Sequence, residues 1–253
     1  SAVPILMTYL FVESSNRPGV EFFEAGRGSL HPAFLLTAFV PDLFGFGLVD
    51  STATYWGPAS KNWSAQWLSL SKNMGMIYIG ALPIMALVLL GLRARLLLSR
   101  EIRFFTIATA VLLVYALGRY TPIFELFYNY IPGIDLFRRP ADATFLFGGT
   151  LAILSGYLIH VNLTRNIGPA TRWDRVAQGL IMGSVLVASL VIAAYFGKLE
   201  QAVKPMLIAT VLLSTATALL IFNRRLNRLS VHIPVVLLSG FMVVDLAVNN
   251  GPN

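Results

Sequence analysis

The sequence predicts an all-α fold: a polytopic transmembrane helix bundle with interfacial or re-entrant helices in its extracytoplasmic loops. Three observations lead to this prediction. Hydrophobic residues make up 56% of the 253 positions and charged residues 12%, whereas soluble domains have about 45–50% and about 25%. Six long stretches contain no Lys, Arg, Asp or Glu. The arginines concentrate in the short segments between some of these stretches, as they do in membrane proteins.

The six charge-free stretches are the candidate spans. They cover residues 73–92, 104–118, 143–164, 176–197, 205–223 and 229–244. A helix needs roughly 20 apolar residues to cross a hydrocarbon core of about 30 Å. The short stretch 104–118 is flanked by Arg103 and Arg119, whose long side chains can reach the headgroups. In the last stretch, the apolar run continues beyond Asp245. We therefore predict six complete transmembrane helices within residues 73–253.

The rest of the chain is assigned to loops of one integral membrane domain, residues 1–253, which we interpret as a fragment of a longer protein. Residues 1–12 are apolar but too short to cross, and they predict the end of a truncated span. Residues 13–72 form a long extracytoplasmic loop, in which Pro32 and Pro41 make 28–41 a re-entrant or interfacial helix. The aromatic-rich loop 119–142 is typical of a segment that lies on the membrane surface.

The orientation follows from the arginines. If the loops alternate, 93–103, 162–175 and 223–230 lie on one side and carry ten of the 19 Lys and Arg residues against two acids. Cytoplasmic loops are enriched in Lys and Arg. The long loops and the C-terminal end therefore face outward.

Several classes of function are excluded or disfavoured. The chain has no cysteine, so it can form no disulfide and no thiolate metal site. Its three histidines are far apart and have no metal-ligand spacing, so we predict no metal and no evident cofactor. The net charge of +7 resides in loops rather than in a basic patch. We therefore expect the lipid bilayer, and not nucleic acid, as the partner.

Arg138 and Arg139 are the strongest candidates for a binding site, because they lie where the span 143–164 begins. Guanidinium groups bind phosphate oxygens bidentately, so this pair, with Arg119, could hold a lipid phosphate. Alternatively, the pair anchors the helix through salt bridges to Asp135 and Asp142.

The other candidates also have two interpretations. Asp42 is a weak candidate for a catalytic base, and its place between Pro41 and a bend that contains Gly45 favours a turn-capping role instead. Tyr55 and Trp56 could stack on a sugar or belong to an interfacial aromatic belt with Trp63 and Trp67. Asp245 is either a functional acid within the membrane or a residue of the outer interface with Asn249 and Asn250.

The order of short motifs resembles the bacterial YfhO-like membrane protein family. The motifs are Ser15-Asn16-Arg17-Pro18, Gly28-Ser29-Leu30-His31-Pro32, Pro41-Asp42-Leu43-Phe44-Gly45, Tyr55-Trp56-Gly57, Tyr78-Ile79-Gly80, Leu117-Gly118-Arg119-Tyr120-Thr121-Pro122, Ile131-Pro132-Gly133, Phe137-Arg138-Arg139-Pro140 and Val244-Asp245-Leu246. Each motif is weak alone. One departure is Asp142, where the family tends to have a second arginine two residues after the proline.

The resemblance implies a GT-C-type glycosyltransferase of the bacterial cytoplasmic membrane. Such an enzyme transfers a sugar from a polyprenyl-phosphate donor to a cell-envelope glycopolymer at the outer face. Arg138, Arg139 and Arg119 would bind the donor phosphate, and Tyr55, Trp56 and Asp142 would line the substrate loop. The catalytic acid would precede Ser1, so this fragment would be inactive alone. The alternatives are a transporter or lipid flippase, and a non-catalytic membrane scaffold.

Overall fold

The computed structural model describes residues 3, 6, 7, 10, 11, 20–45, 55–58, 60, 63, 75–165, 167–227 and 232–249. Seven α-helices organise the part from residue 75 onward. They are α1 (Ala81–Ala86), α2 (Arg103–Leu117), α3 (Ile123–Tyr130), α4 (Thr144–Thr164), α5 (Arg172–Tyr195), α6 (Leu199–Asn227) and α7 (His232–Asn249). The described residues contain no β-strand, so the predicted all-α class is confirmed there.

Five helical segments are long and apolar enough to span a membrane. They are Arg103–Tyr120, Pro140–Thr164, Arg172–Tyr195, Leu199–Asn223 and His232–Asn249. Their outward faces carry large apolar side chains such as Leu180, Val211 and Val243, each more than 60% exposed. Such surfaces are compatible with contact with lipid, and the chain is a multi-pass membrane protein.

The first predicted span differs from the expectation. Among the described residues 75–92, the apolar helix covers Ala81–Gly91, as α1 followed by a π-helical turn, Leu87–Gly91. Gly80 precedes the helix with φ of +106°, a conformation that favours glycine. Pro83 lies in the first turn, where its missing N–H costs no helical hydrogen bond. The segment is therefore a half helix entered through irregular backbone at 76–80.

The loops contain short helical segments. The first loop has one α-helical turn, Phe22–Ala25, and 3₁₀ segments Gly26–Gly28 and Pro32–Ala38. The segment between α2 and α4 contains 3₁₀ turns Gly118–Tyr120, Ile134–Leu136 and Pro140–Ala143, with α3 between the first two. Their location at the membrane surface stays a prediction. Of the predicted truncated span, the five described positions (3, 6, 7, 10 and 11) are helical and exposed.

Contacts between distant helices show that the chain alternates between two ends of the bundle. Asp245, near the end of α7, contacts Ala81 at the start of α1. The Asn162 side chain, near the end of α4, donates to the carbonyl oxygen of Leu220 in α6 at 3.1 Å. We call the end that carries 20–45 and 118–142 the long-loop end, and the end that carries 92–102 and 167–171 the short-loop end. This alternation is the pattern on which the predicted orientation depends.

The half helix α1 forms the centre of the bundle. All six of its residues are buried, and they pack against α4, α6 and α7. An apolar cluster that contains Phe34, Phe44 and Trp56 joins the first loop to the end of α5 and the start of α6. At the short-loop end, Thr171 and Asp174 form a reciprocal capping box that begins α5. The first loop is thus part of the packed structure, and it covers one end of the bundle.

Candidate functional site: an arginine-lined cavity

The end of α2 is joined to the first loop by backbone and hydroxyl hydrogen bonds. The Leu30 N–H donates to the carbonyl oxygen of Ala116 at 2.7 Å. The Arg119 N–H donates to Ser29 Oγ at 3.0 Å, while that hydroxyl donates to the carbonyl oxygen of Gly26 at 2.6 Å. Gly118 is at φ +49°, so the chain turns away from α2 directly beside Ser29. These bonds fix residues 26–30 across the end of the helix. We call this region, residues 26–31 and 116–120, the loop junction.

The segment that carries Arg138 and Arg139 is held against the same loop. The Val20 N–H donates to the carbonyl oxygen of Asp135 at 2.9 Å. Pro140 is buried and begins the 3₁₀ turn that leads into α4. Gly28 faces the main chain of Arg139 so closely that a Cβ there would lie 2.9 Å from Arg139 Cα. The first loop therefore packs against Arg139 and against the segment that leads to it.

Arg138 and Arg139 line one cavity of about 770 Å³ at the long-loop end. The other lining residues are Val20, Leu112, Tyr115, Ile134, Phe137, Asp142, Ala143 and Leu146. Both arginines are exposed, and within the described residues neither forms an ion pair. The salt bridges to Asp135 and Asp142 that the anchoring interpretation requires do not form among these residues. We call this cavity, with its two guanidinium groups and mainly apolar walls, the arginine cavity.

The geometry of the cavity suits an anion attached to an apolar chain. Volumes of 300–1,000 Å³ are typical of small-molecule sites. Two guanidinium groups can bind a phosphate through charge-assisted hydrogen bonds, and Leu112 and Leu146 come from the spans α2 and α4. Asp142 is the one carboxylate among the described lining residues. It repels an anion and could accept a proton from a hydroxyl group.

Arg119, the third predicted phosphate ligand, does not line this cavity. Its guanidinium carbon lies 5.4 Å from the centre of the Tyr120 ring, and its Cβ is close to Gly26. Arg119 therefore lies in the loop junction, which also contacts Arg139 through Gly28. Of the three arginines, only Arg138 and Arg139 line the arginine cavity.

Tyr55 and Trp56 are buried, with 5% and 1% of their surface exposed. The Tyr55 hydroxyl donates to the carbonyl oxygen of Pro58, and burial raises the pKa of this hydroxyl. The Trp56 ring packs edge-on against Phe44, at a centroid distance of 5.0 Å. Neither ring presents a face on which a sugar could stack, because both fill the core beneath the loop. Trp67, which the belt interpretation also invoked, lies outside the described residues.

Asp42 lies apart from the arginine cavity, in the turn that ends the first described loop segment. Its carbonyl oxygen accepts a hydrogen bond from the Gly45 N–H at 3.0 Å, so residues 42–45 form a turn, and the capping role of the side chain stays a prediction. The carboxylate is half-buried, and burial raises the pKa of Asp42. It is near enough to Tyr78 for a coulombic interaction. A role as a base would therefore act at a different place from the two arginines.

His31, in the loop junction, contacts two aromatic side chains. Its ring lies edge-on to Trp63 and to Tyr120, with centroid distances of 5.0 Å each. Nδ1 accepts a hydrogen bond from the Ala33 N–H at 3.1 Å, which caps the 3₁₀ segment Pro32–Ala38. Burial, and secondarily the positive charge of Arg119, lower the pKa of His31. This histidine is therefore a neutral structural residue at neutral pH.

Sequence reasoning missed two features of the site. Gly28 was recognised only as part of a motif, although its lack of a side chain allows Arg139 to approach. Tyr78 received no role, yet it donates to the carboxylate of Asp245. In the sequence, Gly28 is only a loop glycine followed by a serine, and that pattern is too weak to predict its contact with Arg139.

The described residues contain no cluster of His, Asp or Glu that could hold a metal ion. No model of a known protein family matches the chain, and neither a curated protein nor a solved structure matches it. The resemblance to YfhO-like proteins therefore stays a prediction, and the arginine cavity is the feature of the molecule that indicates a function.

Proposed function

We propose that the chain binds the phosphate of a polyprenyl-phosphate-linked sugar in the arginine cavity and takes part in transferring that sugar to a cell-envelope glycopolymer. The transfer would take place at the extracytoplasmic face of the bacterial cytoplasmic membrane, which the arginine distribution assigns to the long-loop end. The catalytic acid would lie outside this chain.

One observation carries the proposal: two guanidinium groups without ion pairs in the described structure share a cavity whose walls are mainly apolar. Both guanidinium groups are exposed to the cavity, and an anion bound there can accept charge-assisted hydrogen bonds from the two of them. A lipid phosphate supplies that anion, while its hydrocarbon chain can follow the apolar surfaces of α2 and α4. A soluble phosphate would gain nothing from the apolar walls.

A lipid flippase is the second candidate, because a phosphate-binding cavity beside the spans also suits lipid movement between leaflets. The half helix α1 favours this class, since transporters use discontinuous helices whose N-termini face anionic substrates. Here, however, the N-terminus of α1 is occupied by Asp245 of the same chain. This internal anion takes the place of a substrate, so we rank sugar transfer first.

The test compares sugar transfer with lipid movement in proteoliposomes that contain the whole native protein. The donor is a polyprenyl-phosphate sugar, and the acceptor is a cell-envelope glycopolymer fraction. We expect transfer by the wild type and its loss in Arg138→Ala, with unchanged transfer in the control Arg172→Ala at the short-loop end. Undiminished transfer in Arg138→Ala would remove this residue from the site. Movement of the labelled lipid without transfer would favour the flippase.

A further inference from the structure

The carboxylate of Asp245 is completely buried and accepts hydrogen bonds from three different groups. The Tyr78 hydroxyl donates to Oδ1 at 2.6 Å, and the Asn249 side chain donates to the same oxygen at 2.8 Å. The backbone N–H of Ala81 donates to Oδ2 at 2.7 Å. The carboxylate is therefore shielded from solvent, and it lies beside Asn249 near the end of α7, as the interfacial interpretation expects. Whether Asp245 lies within the membrane or at its outer interface stays a prediction. Asn250 lies outside the described residues.

Asp245 supplies the anion that the N-terminus of α1 requires. The first N–H groups of a helix have no helical partner, and their partial positive charge favours a negative group. Gly80 supplies no capping side chain of its own. Its φ of +106° turns the chain so that the Ala81 N–H meets Asp245, and a Cβ on Gly80 would lie 3.3 Å from Oδ2. The last helix of the described chain thus caps the half helix 164 residues earlier.

Helix α1 is connected to the first loop, whose Gly28 contacts Arg139. The Thr37 hydroxyl shares its proton between the carbonyl oxygens of Phe34, at 2.7 Å, and Gly75, at 2.9 Å, and it accepts from the Ile77 N–H at 3.4 Å. Thr37 belongs to the 3₁₀ segment Pro32–Ala38, which begins three positions after Ser29. Gly28 contacts Arg139, as described above. These contacts, together with the chain itself along 28–37 and 77–81, connect α7 to Arg139.

We propose that Asp245 is a positioning residue for the arginine cavity. Its carboxylate fixes Tyr78 and the start of α1, and residues 75–80 hold the segment 26–38 in the position that supports Arg139. This inference rests on the proposed function only for the identity of the ligand in the arginine cavity. The placement of the segment can be measured without any lipid.

A single-cysteine reporter measures that placement, because the chain has no cysteine of its own. Ala33→Cys places the thiol in the segment 32–38, at a position that is 7% exposed. Ile102→Cys is the remote reporter at the short-loop end, where Ile102 is 5% exposed. Each reporter is combined with Asp245→Asn, with Tyr78→Phe, or with the control Glu125→Gln, which alters an exposed carboxylate. The readout is the rate of maleimide labelling of the folded, detergent-solubilised protein.

We expect Asp245→Asn to raise the labelling rate at Ala33→Cys about tenfold through local opening. Tyr78→Phe should raise it less, and labelling at Ile102→Cys should not change. An unchanged rate at Ala33→Cys, or an equal rise at both reporters, would overturn the proposal, since the second result reports general loosening. Should Asp245→Asn not fold, Tyr78→Phe decides by the same criteria.

Binding of polyprenyl phosphate by the same proteins separates this inference from the proposed function. We expect weaker binding by Asp245→Asn than by Glu125→Gln. Wild-type binding in Asp245→Asn, despite faster labelling at Ala33→Cys, would overturn the connection between Asp245 and the cavity. Failure of the wild type to bind would overturn the proposed function, while the labelling result would still decide whether Asp245 positions the segment.

Discussion

Gly28 and Arg139, which are 111 positions apart in the sequence, are in direct contact, and Arg139 lines the arginine cavity. A Cβ at position 28 would lie 2.8 Å from Arg139 Cγ and 2.9 Å from its Cα. The second of these atoms belongs to the main chain and cannot rotate away. The contact joins the first loop to the segment that begins α4.

Gly28→Ala should therefore displace Arg139 and destabilise the loop junction. Inserting a methyl group into a closely packed site costs about 1–3 kcal/mol. Thermal unfolding and phosphate-lipid binding by the variant measure the two effects. Gly149→Ala is the matched control, because a Cβ at Gly149 in α4 would meet nothing within 4 Å. Equal behaviour of the two variants would contradict the contact.

Asp142→Asn should strengthen binding of a lipid phosphate. The substitution removes the negative charge that lines the cavity beside the two arginines. We expect a gain in affinity of up to about fivefold, the size typical of an exposed charge interaction. Titration with polyprenyl phosphate measures it, and Glu125→Gln is the control for loss of an exposed acid. Weaker binding by Asp142→Asn would mean that this carboxylate helps to hold the ligand.

Acidification should destabilise the loop junction through His31. Burial lowers the pKa of His31 in the folded chain below its ordinary value of 6.5. Between the folded value and 6.5, the unfolded chain binds more protons, so the free energy of unfolding rises with pH there. Stability should therefore begin to fall as the pH drops through 6.5, and it should fall less in His31→Gln. Thermal unfolding between pH 8 and pH 5 checks this, and equal losses in both proteins would contradict the role of His31.

The predicted orientation can be measured with two single cysteines. Phe137→Cys lies in the arginine-cavity segment, where Phe137 is 64% exposed, and Trp173→Cys lies at the short-loop end, where Trp173 is 80% exposed. An impermeant maleimide added to intact cells should label only Phe137→Cys. Trp173→Cys should react only after the membrane is permeabilised. The reverse pattern would place the arginine cavity inside the cell.

The sequence predicted the spans well where charge-free length alone determines a helix. The stretches 143–164 and 176–197 correspond closely to α4 and α5. It did not predict the half helix within 75–92, because the composition of that stretch does not reveal that Gly80 turns the chain and that Asp245 caps Ala81. Such long-range pairing depends on which helices become neighbours, and periodicity carries no information about that.

The candidate site was predictable only in part, for a similar reason. Arg138 and Arg139 are adjacent in sequence, so their joint location in one cavity required no knowledge of the fold. Arg119, Tyr55 and Asp42 are distant in sequence, and their assignment to a common site assumed a convergence that the structure does not show. Tyr55 and Trp56 illustrate a further ambiguity. The sequence does not distinguish an aromatic side chain that is buried in a core from one that is exposed for binding.

The most direct test of the account is the affinity of the native protein for polyprenyl phosphate and for the corresponding polyprenol, in nanodiscs. We predict that the wild type prefers the phosphate, and that Arg138→Gln with Arg139→Gln lowers phosphate affinity by about 100-fold or more, since each charge-assisted hydrogen bond contributes about 1.5–3 kcal/mol. Arg172→Gln with Arg175→Gln removes the same charge at the short-loop end and should have no effect. Equal affinity for phosphate and alcohol, or equal losses in the two double variants, would contradict the claim that the arginine cavity holds a lipid phosphate.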